Sequence, residues 1–341
     1  MKKTIILSIL LALCFSLQAQ QYVSNVSKKG TTAGQFLHLG MGARALAMGS
    51  AFIAIADDPS ATYWNPAGIT RLKGTQMMFD HTQWIADINY NFFVVTQNLG
   101  DYGSIALSYT SSDIEDMEKT TVSEPNGTGE IFSVKDVSVS LTYAIALTST
   151  FSIGVTPKVV YQSVYNTSAM GFAADLGVLY DTPFEGITLG AGIFNLGTQM
   201  QLTGDALFLA HDQDPKNSGT TGDAPGYYKT DKFHLPVNFK VGLSYLAIKD
   251  DLNKLLVSAE ASHPSDNYES VNVGGEYVYG DFLSFRAGYN EMFQQDSERG
   301  FTVGGGVKQA IYGVFNVSID YSYMDFGRLK NTQKFSLGLI F

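Results

Sequence analysis

Apolar side chains alternate with small or polar ones along about fourteen segments of the 341-residue chain. In one segment, Phe315, Val317 and Ile319 alternate with Asn316 and Ser318. Successive side chains of a β-strand point to opposite faces, so each segment predicts a strand with one apolar and one polar face. Most segments are about ten residues long, which is the length that a tilted strand needs to cross a membrane. The pattern therefore predicts an all-β chain whose strands span a bilayer.

The links between the predicted strands differ in length with a regular parity. We predict strands over residues 75–84, 87–98, 102–111, 134–147, 151–164, 170–181, 187–195, 235–246, 254–263, 269–279, 282–290, 300–309, 314–323 and 333–341. Links after even-numbered strands are short, whereas the longest links, 112–133 and 196–234, follow odd-numbered strands. Long loops on one side and short turns on the other are typical of outer-membrane barrels. We expect a transmembrane antiparallel β-barrel of about 14 strands, spanning residues 75–341.

The last predicted strand ends on an aromatic residue. Phe335, Leu337, Leu339 and Phe341 alternate with smaller or more polar residues up to the end of the sequence. Such an ending resembles the closing strand of a bacterial outer-membrane barrel.

Residues 1–19 have the pattern of a signal peptide. Lys2 and Lys3 precede an apolar stretch that is too short to span a bilayer as a helix, and cleavage is expected after Ala19. Cys14, the only cysteine in the sequence, lies inside this stretch. The mature chain is therefore expected to be exported and to contain neither disulfides nor reactive thiols.

Charged residues occur in the middle of several predicted strands, on the polar face. A soluble β-sandwich, the alternative all-β architecture, would place such residues in water on the outside. In a barrel they face the lumen, where water or one another can satisfy them. The predicted lumen-facing charged residues are Lys158, Asp175, Lys240, Glu260, Glu276, Arg286, Lys308 and Asp320.

Residues 20–74 lack the strand pattern and are predicted to form a small plug against or inside the barrel. Asp58 and Pro59 are expected to be the N-cap and first residue of a short helix, which Pro66 would end. A segment of this size has no core of its own, so it must pack on the barrel.

The plug motifs carry a resemblance to a known family. The stretch Gly42-Ala43-Arg44-Ala45 and the stretch Tyr63-Trp64-Asn65-Pro66-Ala67-Gly68 resemble the N-terminal hatch of the FadL-type long-chain fatty-acid transporters. The likeness is closer to the PorV/PorQ group of that superfamily, found in Bacteroidetes and relatives, some of whose members serve type IX protein secretion. The resemblance implies a cell outer-membrane location in a Bacteroidetes-like Gram-negative cell. It makes Trp64, Asn65, Pro66 and Ala67 candidate plug residues.

Composition and motifs argue against several other functions. Removal of Lys2 and Lys3 with the signal peptide leaves 20 basic and 32 acidic residues, a surface that repels nucleic acid. The five histidines show no paired metal-ligand spacing, and the Gly40-x-Gly42 pattern lacks the βαβ unit of a dinucleotide site. We therefore predict no catalytic residues, metal or cofactor, and a protein that is not an enzyme.

Three functions stay open on the sequence alone. The barrel could bind exported cargo proteins or secretion-system components through its long loops, as the PorV/PorQ resemblance implies; this is the preferred interpretation. It could instead conduct long-chain fatty acids or another hydrophobic small molecule past the plug, or be a structural or porin-like barrel whose partners are outer-membrane lipids. A conduit predicts an apolar pocket between plug and wall. A cargo binder predicts exposed apolar loop residues, namely Phe208, Leu209, Tyr227, Tyr228 and Phe233.

Overall fold

The computed structural model describes residues 28–211, 224–311 and 315–341. The predicted signal peptide lies outside these ranges. None of the helices within them is long and apolar enough to cross a bilayer.

Fourteen strands make up the wall, each containing the alternation seen in the sequence. They are β1 (Thr75–Gln83), β2 (Asn89–Asn98), β3 (Ser104–Asp113), β4 (Val134–Ala146), β5 (Phe151–Val164), β6 (Thr167–Asp181), β7 (Ile187–Gly197), β8 (Asn238–Lys249), β9 (Asn253–Pro264), β10 (Ser270–Tyr279), β11 (Leu283–Met292), β12 (Phe301–Ile311), β13 (Phe315–Asp325) and β14 (Asn331–Ile340). Each predicted strand boundary lies within three residues of the observed one.

The sheet closes on itself. Every wall strand pairs antiparallel with its neighbours in the sequence, including β7 with β8 across the longest link. β1 also pairs with β14, where Phe79 lies opposite Leu337 and Asp80 opposite Ser336. A closed sheet leaves no strand edge without backbone partners. The predicted 14-strand antiparallel barrel is confirmed.

The two faces of the wall differ in chemistry. Phe79, Leu141, Leu243 and Ile319 point outward and are 45%, 55%, 37% and 59% exposed. Inward positions carry mainly glycine, serine, threonine and charged side chains, many of them buried. An apolar outer band around a polar interior is the arrangement expected of a barrel in lipid.

The two long links contain short strands that the sequence did not indicate. Met117–Glu118 pairs with Ile131–Phe132, and Phe208–His211 pairs with Ala224–Tyr227. Three further short strands make two more pairings: Met200–Gln201 with Lys232–Phe233, and Thr203–Gly204 with β6. These pairings join the described parts of the link between β7 and β8 to one another and to β6.

Residues 28–74, called the inner segment below, lie inside the barrel. The segment contains two short α-helices, α1 (Ala43–Ala47) and α2 (Ala61–Trp64), and 3-10 turns over Gln35–His38 and Pro66–Arg71. Most of its residues from 36 to 69 are buried. Because the helices have only five and four residues, packing against the wall must hold them in place.

The start of α2 differs from the prediction. Ser60, rather than Asp58, is the N-cap, and the helix begins at Ala61. The Asp58 Oδ1 atom accepts the backbone N–H of Ser60 at 2.9 Å, so this carboxylate binds the donor just before the helix. Burial raises the pKa of Asp58. α2 ends at Trp64, before Pro66 opens the following 3-10 turn.

Candidate functional site

The inner segment is attached to the wall where the barrel closes. The Asp80 Oδ2 atom of β1 accepts the backbone N–H of Gly42 at 3.1 Å, and the Ser336 Oγ atom of β14 accepts that of Ala43 at 2.7 Å. Lys334 Nζ lies 3.0 Å from Asp80 Oδ2 and also donates to the carbonyl of Gly40. Residues 40–43 therefore contact the first and the last strand together. These contacts are called the seam anchor below.

Seven inward-facing glycines form a belt against which the inner segment rests. A Cβ atom at any of them would lie within 2.6 Å of an atom of the inner segment. The segment's backbone therefore lies almost directly on the wall, and no larger residue fits there unless the segment moves. The glycines are Gly154, Gly177, Gly190, Gly242, Gly274, Gly288 and Gly304 on seven strands from β5 to β12.

Asn65 joins three parts of the molecule and is fully buried. Its Nδ2 atom donates to the carbonyls of Ile53 and Val178 at 2.8 and 2.9 Å. Its Oδ1 atom accepts the backbone N–H of Ala67 at 3.2 Å and so caps the turn that Pro66 begins. Asn65 thus uses both donors and an acceptor to join two stretches of the inner segment to β6.

Glu260 and Lys240 form a second buried attachment on neighbouring strands. The Glu260 Oε2 atom accepts the backbone N–H groups of Phe52 and Ile53 at 3.1 and 3.0 Å. Its Oε1 atom lies 2.9 Å from Lys240 Nζ, which sits 4.7 Å from the centre of the Trp64 ring. The lysine therefore compensates the buried carboxylate and covers one face of the indole.

Arg44 of α1 is the centre of an ion network. It forms two hydrogen bonds with Glu276, at 2.8 and 2.6 Å, and lies 2.5 Å from Asp57 and 3.3 Å from Asp58. Burial alone would lower the pKa of Arg44, but these carboxylates outweigh it and hold the pKa well above its ordinary value. Arg44 therefore stays charged.

The wall continues the Arg44 network. Arg286 lies 2.6 Å from both Glu276 and Asp320, which connects β10, β11 and β13. A planar guanidinium suits such multiple carboxylate contacts better than an ammonium group does.

The remaining predicted charged residues also lie on the inner side of the wall. Lys158 Nζ is 2.7 Å from Asp175 and 2.6 Å from Asn195 Oδ1. Lys308 lines a lumenal cavity. All eight predicted residues thus lie on the inner face, and seven of them belong to ion pairs. The predicted set omits Asp80, Lys334 and Arg44. Of these, only Asp80 lies in the middle of a predicted strand, since Lys334 is the second residue of the predicted strand 333–341 and Arg44 lies in the inner segment.

The outer part of the inner segment is held by a loop. Asp266 Oδ2 accepts hydrogen bonds from Thr32 Oγ1 at 2.7 Å and Gln35 Nε2 at 2.8 Å, and His38 Nε2 lies 3.2 Å away. Burial would raise the pKa of Asp266, but these three contacts hold it well below its usual range. The carboxylate is therefore a charged acceptor that fixes the start of the segment.

A cavity of about 520 Å³ lies between the inner segment and the wall at the end that carries the long loops. Five aromatic rings line it: Tyr63, Trp64, Trp84, Phe194 and Phe326. Lys240 lies over Trp64, and the Arg299 guanidinium lies 5.7 and 5.5 Å from the Trp84 and Phe326 rings. The lining is thus a mixture of aromatic surface and paired charges, rather than the purely apolar pocket expected for a conduit.

A second cavity, of about 850 Å³, lies at the end with the short turns. Arg44, Glu276, Arg286 and Lys308 are among its lining residues. None of the described residues lines both cavities.

Between the two cavities lies a stack of side chains. The Trp64 ring meets the Phe52 ring edge-on at 6.2 Å, and Arg44 lies 5.3 Å from the centre of Phe52. Lys240, Trp64, Phe52 and Arg44 therefore form a column of two adjacent rings with a cation at each end, called the central column below. Within the described residues, no group of histidine, cysteine and acidic side chains is arranged to hold a metal ion.

Part of the chain matches a protein-family model. Residues 14–179, a little under half of the chain, match the model of the "Uncharacterised protein family (UPF0164)". No curated protein matches the sequence.

Several solved structures are similar along most of the chain. The Pseudomonas putida toluene transporter TodX aligns with a TM-score of 0.55 and 13% identity over 88% of this chain and 97% of that one. The Ralstonia pickettii toluene transporter TbuX gives 0.52 and 14% over 88% and 97%. A Pseudomonas aeruginosa FadL homologue gives 0.50 and 14% over 87% and 96%. The chain has the fold of the FadL-type outer-membrane channels.

Proposed function

We propose that this protein is an outer-membrane barrel that conducts small hydrophobic or amphipathic solutes past its inner segment, which acts as the plug. The observation that carries the proposal is the pair of cavities separated by the central column. The similar solved structures include two toluene transporters, which favours a conduit over a purely structural barrel.

The cavity of about 520 Å³ at the end with the long loops, called the outer cavity below, has the size and chemistry of a solute site. Small-molecule sites are commonly about 300–1,000 Å³ and combine apolar surface with a few polar groups. Here aromatic rings supply the apolar contact, while Lys158 and Lys240 present ammonium groups already paired with carboxylates. A solute with an apolar body and an oxygen-bearing end fits this lining better than a plain hydrocarbon does.

The central column is proposed to be the barrier that a solute must pass. Because the glycine belt and seam anchor hold the backbone of the inner segment against the wall, side-chain rotation of Trp64 and Phe52 provides the smallest opening movement. The charge network around Arg44 would receive the solute on the short-turn side.

The two tryptophans allow a direct test of binding. The sequence contains only Trp64 and Trp84, and both line the outer cavity. Titration of the folded barrel with laurate, toluene and glucose should change its tryptophan fluorescence for laurate most and for glucose least. A Trp84→Phe variant leaves Trp64 as the only reporter. An identical response to glucose and laurate would contradict the proposed solute class.

Passage is tested separately from binding. Cells that lack other hydrophobic-solute channels and produce this protein should take up radiolabelled laurate faster than cells without it. Phe52→Ala shortens the central column and should raise uptake, whereas Phe79→Ala changes only the outer surface and serves as the matched control. Uptake equal to that of cells without the barrel would refute the conduit.

Binding of exported proteins is a second candidate, supported by one observation. Four of the five apolar loop residues predicted to be exposed in a cargo binder are exposed on the link between β7 and β8: Phe208, Tyr227, Tyr228 and Phe233, at 52%, 62%, 67% and 45%. The fifth, Leu209, is only partly exposed. The comparisons contain nothing that supports a PorV/PorQ or type IX secretion role, so that role stays a prediction.

The secretion hypothesis has its own test. Cells carrying Tyr227→Ser with Tyr228→Ser should lose proteins from the secreted fraction if these rings bind cargo, while laurate uptake stays normal. An unchanged secreted fraction would remove this candidate.

A further inference from the structure

The barrel is closed by a pairing between the two wall strands that lie farthest apart in the sequence. β1 begins at Thr75 and β14 ends at Ile340, whereas most other neighbouring strands are linked by short turns. Contacts between distant parts of a chain form slowly because the ends of a long loop must first be brought together. Anything that holds β14 beside β1 would therefore act at the hardest point of assembly.

The inner segment has its seam anchor at this junction. Gly42 and Ala43 donate to Asp80 of β1 and Ser336 of β14, and the Ser336 hydroxyl donates to Asp80 Oδ1 at 2.6 Å. Lys334 of β14 reaches both Asp80 and the Gly40 carbonyl. The inner segment thus supplies two donors and an acceptor to a polar cluster that spans the seam.

Burial makes this cluster depend on its partners. Asp80 is 0% exposed and Lys334 is 1% exposed. Charges taken out of water are costly unless ion pairing and hydrogen bonds compensate them. With the inner segment displaced, the Lys334 ammonium and the Asp80 carboxylate would each lose a buried hydrogen-bond partner. The closed seam is therefore fully satisfied only with residues 40–43 in place.

We propose that residues 40–43 template closure of the barrel. The segment lies close to β1 in the sequence, so it can bind Asp80 before β14 arrives. Bound there, it presents the Ala43 N–H and the Gly40 carbonyl to Ser336 and Lys334 of the incoming strand. In this proposal the inner segment assists assembly, a role independent of solute conduction.

A second site where the wall binds the inner segment can serve as a control for the seam anchor, because it lies away from the junction of β1 and β14. Glu260 forms an ion pair with Lys240 on the neighbouring strand and also accepts two N–H groups of the inner segment. The Glu260 carboxylate is fully buried, like that of Asp80, while the Lys240 side chain is 13% exposed. Their strands, β8 and β9, are joined by a short turn and need no help to meet. Loss of a charge at Glu260 should therefore destabilise the inner segment without delaying closure.

The experiment follows closure directly during refolding. Paired cysteines are introduced as Phe79→Cys with Leu337→Cys, which lie opposite each other across the seam and face outward. A second reporter, Tyr245→Cys with Val257→Cys, lies within the β8–β9 hairpin. The chain from residue 20 onward, which contains no natural cysteine, is refolded into dilauroylphosphatidylcholine vesicles under mild oxidation, and the rate of disulfide formation is measured for each reporter.

Three variants distinguish the effect of the inner segment on closure from that of the wall. Ala43→Pro removes the donor to Ser336 and places its ring against that hydroxyl, yet proline is accepted at the first position of a helix. Asp80→Asn weakens the wall side of the cluster, and Glu260→Gln is the control.

We expect Ala43→Pro and Asp80→Asn to slow disulfide formation across the seam roughly tenfold, which corresponds to about 1.4 kcal/mol in the barrier. The hairpin reporter should form at the wild-type rate in both variants, and Glu260→Gln should leave both reporters unchanged. A wild-type seam rate in Ala43→Pro would overturn the proposal, as would an equal slowing by Glu260→Gln. If Ala43→Pro gives no folded barrel, Ser336→Ala, which removes only a hydroxyl, takes its place with the same expected and opposing results.

Discussion

Asn65 shows how one side chain can fix the plug. Asn65→Ala would leave the carbonyls of Ile53 and Val178 and the N–H of Ala67 without their present partner. Each buried polar group left unpaired costs about 1–3 kcal/mol, so the inner segment should loosen while the wall keeps its own hydrogen bonds. We expect a barrel that still shows heat-modifiable migration but conducts ions across a planar bilayer more often than the wild type.

A control for Asn65 lies in the exposed turn between β5 and β6. Asn166→Ala changes the same residue type at an exposed position of the wall and should alter neither folding nor conductance. If Asn65→Ala is equally silent, the Asn65-Pro66-Ala67 motif plays no part in closing the lumen, and its likeness to fatty-acid transporters concerns the fold alone.

The role of Asn65 was predictable only in part. Asparagine side chains commonly bind backbone groups close by in the sequence, and the bond from the Ala67 N–H is of this local kind. The bond to Val178 joins residues more than a hundred positions apart and depends on how the inner segment lies in the barrel. No local pattern contains that information.

At the scale of elements, the wall strands could be predicted from the sequence, whereas the positions of the helices in the inner segment could not. The wall strands are specified locally, because lipid on one side and a polar lumen on the other require alternation at every second residue. In contrast, α1 and α2 are too short to be stable alone and take their positions from the glycine belt. Gly288 illustrates the difference. Its sequence neighbours do not distinguish it from any other glycine in a strand, yet in the structure its missing side chain makes room for Met48 and Gly49.

The outward face of each strand carries its own prediction. Ile319→Arg and Leu243→Arg place a charge in the apolar outer band, and each should lower barrel stability by about 2–4 kcal/mol near the midplane. Ser318→Arg is the matched control for Ile319→Arg, since Ser318 is the neighbouring residue and lines the 850 Å³ cavity in the lumen. Urea unfolding of the vesicle-inserted barrel measures the difference. Equal losses for the two faces would contradict the assignment of an outer lipid surface.

At the scale of the whole molecule, the barrel encloses the ion pairs made by mid-strand residues and exposes the apolar side chains of its outer face. Because this arrangement follows from strand alternation, the charged residues at mid-strand could be selected from the sequence, although Asp80 was not. The two cavities could not be predicted, because each is bounded by side chains from many strands and from the inner segment at once. The partition of the lumen by the central column is a property of the assembled chain alone.

The orientation of the barrel yields the last prediction. Ser123 lies in the long link between β3 and β4, whereas Asp251 lies in the short turn between β8 and β9, at the opposite end. Both are exposed, so a short epitope inserted after either should leave the wall intact. Because long loops face outward in outer-membrane barrels, an antibody should label the Ser123 insertion on intact cells and the Asp251 insertion only after permeabilisation. Labelling of the Asp251 insertion on intact cells would show that the barrel has the opposite orientation. The 850 Å³ cavity would then lie at the cell surface, and the proposed direction of solute passage would be inverted.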